Sequence, residues 1–252
     1  MGTPFDWPYP LWVAHRGAGR LAPENTLAAF RLGAACGYRA FECDVKLSAD
    51  GVPFLLHDAT LERTTSGTGA AADLPWAALS RLDAGAWHSR TYAGEPPPSL
   101  EAMARFCRNN AFALNIEIKP SPGREAETGE IVAREAARLW SGATIAPLLS
   151  SFRPAALEAA RDAAPHLPRA LLLDQLREGW FEEAQRLRCC AIVTAYPLMD
   201  AALVARLQAA KLRAMAYTVN DPAEVKRLFV LGIDCIITDA VDRFSPAASA
   251  RD

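Results

Sequence analysis

Short apolar runs alternate along this chain with longer stretches whose apolar residues recur at helical spacing. Trp12-Val13-Ala14 reads as a strand. Residues 25–36 read as a helix through Leu27, Phe30, Leu32 and Ala35, stopped at Gly37. Residues 40–45 and 52–56 read as strands around the turn Ser48-Ala49-Asp50-Gly51, paired as a hairpin or shared with a larger sheet. From Ser99 the rhythm is regular. Predicted helices at 100–109, 125–140, 154–163, 179–187, 199–210 and 222–231 are followed by predicted strands at 113–118, 144–149, 169–173, 191–194, 213–218 and 235–237.

Strands alternating with helices imply βα units and a parallel sheet. About eight units, with no GxGxxG or Walker glycine loop, favour a (β/α)8 TIM barrel over a doubly wound sheet. Residues 58–98 break the rhythm with Thr64-Thr65-Ser66-Gly67-Thr68-Gly69, a short helical piece near 75–82 and Pro96-Pro97-Pro98. The reading is therefore one α/β domain over 1–252 with a small inserted segment at about 59–98. A length of 252 residues with 51% hydrophobic content suits one large core.

Polar residues able to do chemistry keep appearing where predicted strands end, the face on which barrels build their sites. Glu42 and Asp44 lie two apart, so both point to one side of their strand, and Glu117 and Lys119 repeat that relationship. Neighbouring inward carboxylates repel unless something positive sits between them, and three oxygen donors suit a hard cation such as Mg2+ or Ca2+. The ordinary alternative is a solvated strand face or a Glu117–Lys119 ion pair. His15 and His57 each close an apolar run and can exchange protons near neutral pH. His88 and His166 lack such a setting and read as surface residues. Arg16 and Lys119 can meet a phosphate, or else the carboxylates. Asn25 caps a helix or touches a ligand, and Tyr217 floors a pocket or joins the core.

A net charge of −2 with 22% charged residues gives no electrostatic case for nucleic acid. Six cysteines without CxxC spacing read as free thiols in a reducing compartment. No secretory signal or apolar run of about 20 residues is visible, so a cytoplasmic protein without stable membrane insertion is expected.

Taken together, His15-Arg16-Gly17 with Pro23-Glu24-Asn25-Thr26, Glu42-Cys43-Asp44-Val45 with Asp50-Gly51, and His57-Asp58 resemble the glycerophosphodiester phosphodiesterase family, in its bacterial cytoplasmic type. The run 61–69, Leu82-Asp83-Ala84-Gly85-Ala86-Trp87, Glu117-Ile118-Lys119-Pro120, Ser150-Ser151-Phe152, Thr218-Val219-Asn220-Asp221 and Thr238-Asp239 continue the likeness over nearly the whole chain. The resemblance implies metal-dependent hydrolysis of a small glycerophosphodiester to glycerol 3-phosphate and an alcohol. It implies His15 and His57 as the acid–base pair and Glu42, Asp44 and Glu117 around one divalent cation. Arg16, Lys119 and Asn25 would contact substrate beside Tyr217, which stands where many relatives carry tryptophan. Three rivals stand beside this reading, the first from the same broad chemistry. A lysophospholipase D would enter through an apolar groove of Trp76, Leu79 and Trp87; a glycoside hydrolase would use two carboxylates; a non-catalytic barrel would only bind phosphorylated ligands.

Overall fold

Runs such as Ala-Leu-Leu-Leu at 170–173 leave no residue that favours water on either face, as parallel strands covered on both sides require. In the computed structural model, which describes residues 6–246, these runs close into a barrel. The first five and last six residues of the predicted 1–252 domain, and part of the N-terminal stretch searched for a signal, lie outside the described residues.

The strands are β1 (Trp12–Ala14), β2 (Ala40–Leu47), β3 (Pro53–Leu55), β4 (Ala113–Ile118), β5 (Leu148–Ser151), β6 (Arg169–Leu173), β7 (Ala191–Ala195), β8 (Arg213–Tyr217) and β9 (Cys235–Thr238). The eight other than β3 pair in parallel, and β9 returns to β1 through Trp12 with Ile236, Val13 with Ile237 and Ala14 with Thr238. β3 runs antiparallel to the far end of β2, with Val45 opposite Leu55 and Leu47 opposite Pro53. The hairpin alternative is the observed one, and it carries the chain out of the barrel wall into the insertion.

The helices are α1 (Leu27–Ala35), α2 (Trp76–Leu79), α3 (Leu100–Asn109), α4 (Glu125–Leu139), α5 (Pro154–Ala163), α6 (Trp180–Arg186), α7 (Ala201–Ala209) and α8 (Pro222–Leu231). All but α2 ring the barrel. Strand alternation sorts the core into two layers. Phe41, Cys43, Val45, Leu114, Ile116 and Ile118 point outward beneath the helices. Val13, Ala40, Ala113, Leu148, Val193 and Met215 fill the interior below the mouth. Tyr9 plugs the bottom and donates its hydroxyl to the Ala146 carbonyl at 2.9 Å. A smaller cluster of Phe54, Leu56, Leu61, Ala71 and Leu79 packs the insertion onto the hairpin.

Two expectations shift. The strand predicted at 144–149 forms at Leu148–Ser151, because Pro147 has no N–H for the ladder and disfavours a regular approach to it. Helix α1 starts at Leu27, and its cap is Thr26, whose hydroxyl accepts from Ala29 N at 3.2 Å. Asn25 is therefore no cap: it sits in the left-handed region at φ 59° with its side chain turned to β2. None of the described helices is long and apolar enough to cross a membrane.

Gly33 on α1 lets this helix lie against the loop that follows β1, since a Cβ there would come within 2.1 Å of the Gly17 carbonyl oxygen. Gly33→Ala is expected to destabilise the fold by about 1–3 kcal/mol, as overpacking does. Urea unfolding checks this, and activity should fall with it because the displaced loop carries His15 and Arg16.

Candidate active site

β2 and β4 run in register with Glu42 beside Asn115 and Asp44 beside Glu117, so one side of the barrel presents a square of polar side chains. Glu42 and Asp44 are 3% and 0% exposed, and Glu117 is buried with them. Oxygens from the three carboxylates lie within 4.8 Å of one another. Such a cluster is costly unless cations face it. Two do. Lys119 Nζ donates to Asp44 Oδ1 at 3.1 Å and to Glu117 Oε1 at 3.0 Å. Arg16 Nε lies 3.2 Å from Asp44 Oδ2 as a charge contact without hydrogen-bond alignment, while its Nη1 donates to Glu24 Oε1 at 2.9 Å.

The backbone at Arg16 explains its double use. At φ 50° it turns its N–H to Glu42 Oε2 at 3.1 Å while its guanidinium reaches Asp44 and Glu24. Asn25 also turns inward. Its Nδ2 donates to Asp44 Oδ2 at 2.8 Å and its Oδ1 accepts from Asp44 N at 3.1 Å. Asn25 thus fixes Asp44 with both ends of its amide, the carboxylate with one and the backbone N–H with the other.

These surroundings split the three acids. Burial pushes Glu42 well up, and Asp44 and Glu117 add to it. Burial, then Asp44, raises Glu117 to about 7 against the pull of Lys119. Burial opposes the Asp44 charge as well, but Arg16, Lys119, His57 and the Asn25 hydrogen bond together hold it far below the usual carboxylate range. Glu42 Oε1 is buried and has no partner. A partnerless carboxylate oxygen at the centre of three clustered acids fits a divalent cation, and the all-oxygen donor set fits a hard one.

The histidines close the mouth from two directions. His15 Nδ1 sits 2.6 Å from Asp239 Oδ1, leaving Nε2 3.8 Å from Glu42 Oε2. Asp239 is held by Asn220, which donates to its Oδ2 at 2.9 Å and accepts from its N–H at 2.9 Å. His57 Nδ1 lies 2.6 Å from Asp58 Oδ1. Burial, then the charges of Arg16 and Lys119, lower the His57 pKa against Asp44 and Asp58. Both rings border a cavity of about 200 Å³ whose polar wall holds Arg16, Glu42, Asn115, Glu117 and Lys119. Phe152, Leu172, Tyr217 and Ile237 form its apolar side. Tyr217 meets Phe152 edge-on at 5.7 Å and donates its hydroxyl to Leu173 O at 3.3 Å.

The structure brings together all of the predicted site residues, with Asn25 just behind Asp44. It adds others. Asn115 and Lys46 continue the inward alternation of β4 and β2, and Lys46 Nζ donates to the Lys119 carbonyl at 3.1 Å. That parity was readable. Asp239 and Asn220 stood in two motifs of the resemblance, but without a role. Arg63 lies in the run 61–69 of the resemblance, but nothing local named its partners: from the insertion it binds both Asp58 oxygens and both Glu24 oxygens. The insertion thereby clamps the His57 segment to the Arg16 segment. His88 is half-buried rather than a surface residue, its Nε2 3.0 Å from Arg20 O and its ring edge-on to Trp87 and Tyr92. The proposed entry groove is not formed: Leu79 is fully buried, Trp76 packs on Phe54, and neither they nor Trp87 line the cavity.

A barrel with buried acids, paired cations and two carboxylate-held histidines at its mouth is an enzyme architecture suited to phosphate diesters. Residues 15–243 match the model of the glycerophosphoryl diester phosphodiesterase family. A glycerophosphodiester phosphodiesterase of Caldanaerobacter subterraneus is 31% identical over 91% of this chain and 93% of its own. An Oleispira antarctica phosphodiesterase, solved with its product sn-glycerol-3-phosphate, superposes with a TM-score of 0.85 at 32% identity, covering 92% of this chain and 93% of that one. Glycerophosphodiester phosphodiesterase from Agrobacterium tumefaciens gives a TM-score of 0.80 at 29% identity over 94% and 99%. The chain belongs to the glycerophosphoryl diester phosphodiesterase family, and it is a hydrolase of glycerophosphodiesters.

The Arg63 clamp has a pH signature. Hydrogen bonds from Arg63 lower Asp58 first of all, and at Glu24 those bonds with the charges of Arg16 and Arg63 outweigh burial. Depressed carboxylates add stability above their unfolded pKa of about 4 that is lost as pH falls through the lower folded values. Arg63→Met should therefore flatten the acid limb of stability below about pH 4. Denaturant titrations from pH 2 to 7 check it; an unchanged acid limb would mean that the clamp carries no charge coupling.

Proposed function

We propose that Glu42, Asp44 and Glu117 hold one divalent cation, Mg2+ or Ca2+, and that His15 and His57 carry the proton transfers of diester hydrolysis. The products are glycerol 3-phosphate and an alcohol such as choline or ethanolamine. The observation carrying this reading is the partnerless Glu42 oxygen within the acid cluster, facing a cavity that both histidines border. A cation bound there supplies positive charge that polarises a non-bridging phosphate oxygen.

The chain's own residues supply the rest. Lys119 is a point charge and Arg16 a planar fork, and both border the cavity where a phosphate would lie. Asn25 acts at one remove, orienting Asp44 through one carboxylate oxygen and its backbone N–H. Asp239 and Asp58 each hold one histidine Nδ1, which leaves both Nε2 atoms for substrate. One histidine takes the proton of the attacking water or neighbouring glycerol hydroxyl, and the other gives a proton to the departing alcohol oxygen. The Oleispira complex with sn-glycerol-3-phosphate supports the small polyol phosphate as product. Phe152 and Tyr217 offer the carbon skeleton an apolar wall. Six free cysteines accord with a reducing compartment, and we place the enzyme in the cytoplasm.

Coupled release of glycerol 3-phosphate from glycerophosphocholine tests this function. Release is expected to stop with EDTA and return with Mg2+ or Ca2+. His15→Ala and His57→Ala should each lower kcat by about 10²–10⁴ with little change in Tm. Metal-independent release, or near-normal turnover by either variant, would overturn the corresponding role.

A further inference from the structure

One buried polar group of the cavity is used by none of the roles above. Asn115 is 5% exposed, and its Oδ1 is buried without a hydrogen-bond partner. A buried amide oxygen in that state is costly unless something else supplies the donor. Neither of its neighbours in register bonds it. On one side in register stands Glu42, itself an acceptor with a partnerless oxygen, and on the other stands Leu148, which is apolar.

Its depth says what belongs there. Lys119, Glu117 and Asn115 are successive inward positions of one strand and its exit, so Asn115 lies one step of about 6.6 Å below Glu117. The phosphate-binding cations are at the top of this ladder. Leu172 and Ile237 border the same cavity as Asn115, so a ligand there meets carbon surface as well as an amide. An uncharged donor on a small carbon frame matches this floor, and a hydroxyl fits an amide, which both accepts and donates.

We infer that Asn115 is a specificity-determining residue that reads a free hydroxyl of the glycerol unit. It selects polyol phosphates over alkyl phosphates of the same length. The inference rests on the reading of the cavity as a glycerophosphodiester site. It assigns Asn115 to the substrate and not to the cation.

Competitive inhibition by sn-glycerol 3-phosphate and by n-propyl phosphate, which lacks both hydroxyls, tests it on the intact metal-loaded enzyme. The wild type should prefer the polyol. Asn115→Leu should weaken the polyol phosphate by about 10- to 100-fold, the cost of losing a buried polar contact, and leave propyl phosphate within about twofold. Asn115→Ala, which makes no steric demand, is the second variant should leucine not fold. Mg2+ and Ca2+ affinity, titrated without substrate, should not change in either. Equal weakening of both phosphates, or a parallel fall in cation affinity, overturns the role in reading a hydroxyl. A wild type that binds neither phosphate removes the glycerophosphodiester reading and this inference with it. A wild type that prefers the polyol, with variants that keep the preference, overturns this inference alone.

Discussion

Three carboxylates packed side by side inside a barrel are the constraint around which this molecule is arranged. Like charges at such spacing, withdrawn from water, oppose folding, and every feature of the mouth answers that opposition. Lys119 and Arg16 bring charge to Asp44, Asn25 holds it by two hydrogen bonds, and the left-handed turn at Arg16 delivers a backbone N–H to Glu42. The compensation is uneven. Asp44 has partners on both oxygens and is held far below the usual carboxylate range, whereas burial and the neighbouring acids push Glu42 and Glu117 up. On the proposed reading of the cluster as a cation site, one acid is fixed as an anchor and the other two would gain most when positive charge arrives.

The barrel makes this arrangement possible because alternation separates packing from chemistry. On β2 and β4 the outward residues build the contact with the helices, and the inward ones are free to be acidic near the top and small near the bottom. Interior substitutions near the mouth can therefore alter binding without disturbing the helical shell. The insertion has its own small core, and through Arg63 it ties Asp58 to Glu24.

Most of the fold was legible because strands buried on both faces leave unmistakable apolar runs, and the two-residue periodicity placed Glu42 with Asp44 and Glu117 with Lys119. The same periodicity extends to Asn115 and Lys46, which burial in the structure singles out. Pro147 moved a strand boundary that hydropathy alone put too early. Asn25 and Thr26 are adjacent possible caps, and only the backbone turn distinguishes the cap from the residue that turns inward. Arg63 was beyond sequence reasoning: its partners lie 5 and 39 positions away on different segments, and no local pattern encodes that meeting.

The pairing of β9 with β1 joins the two ends of the described chain, and His15 meets Asp239 across a separation of 224 positions. During synthesis the first histidine leaves the ribosome long before the residue that orients it. Such a distant contact comes with high contact order, and the seam closes only when nearly the whole barrel exists. The acids and Lys119 can assemble on an open sheet of the first half, yet a chain interrupted before β9 would hold His15 without its tether. Completion of the site is thus tied to completion of the polypeptide: on the proposed role of His15, a nascent or truncated chain would lack an oriented histidine until the last strand docks.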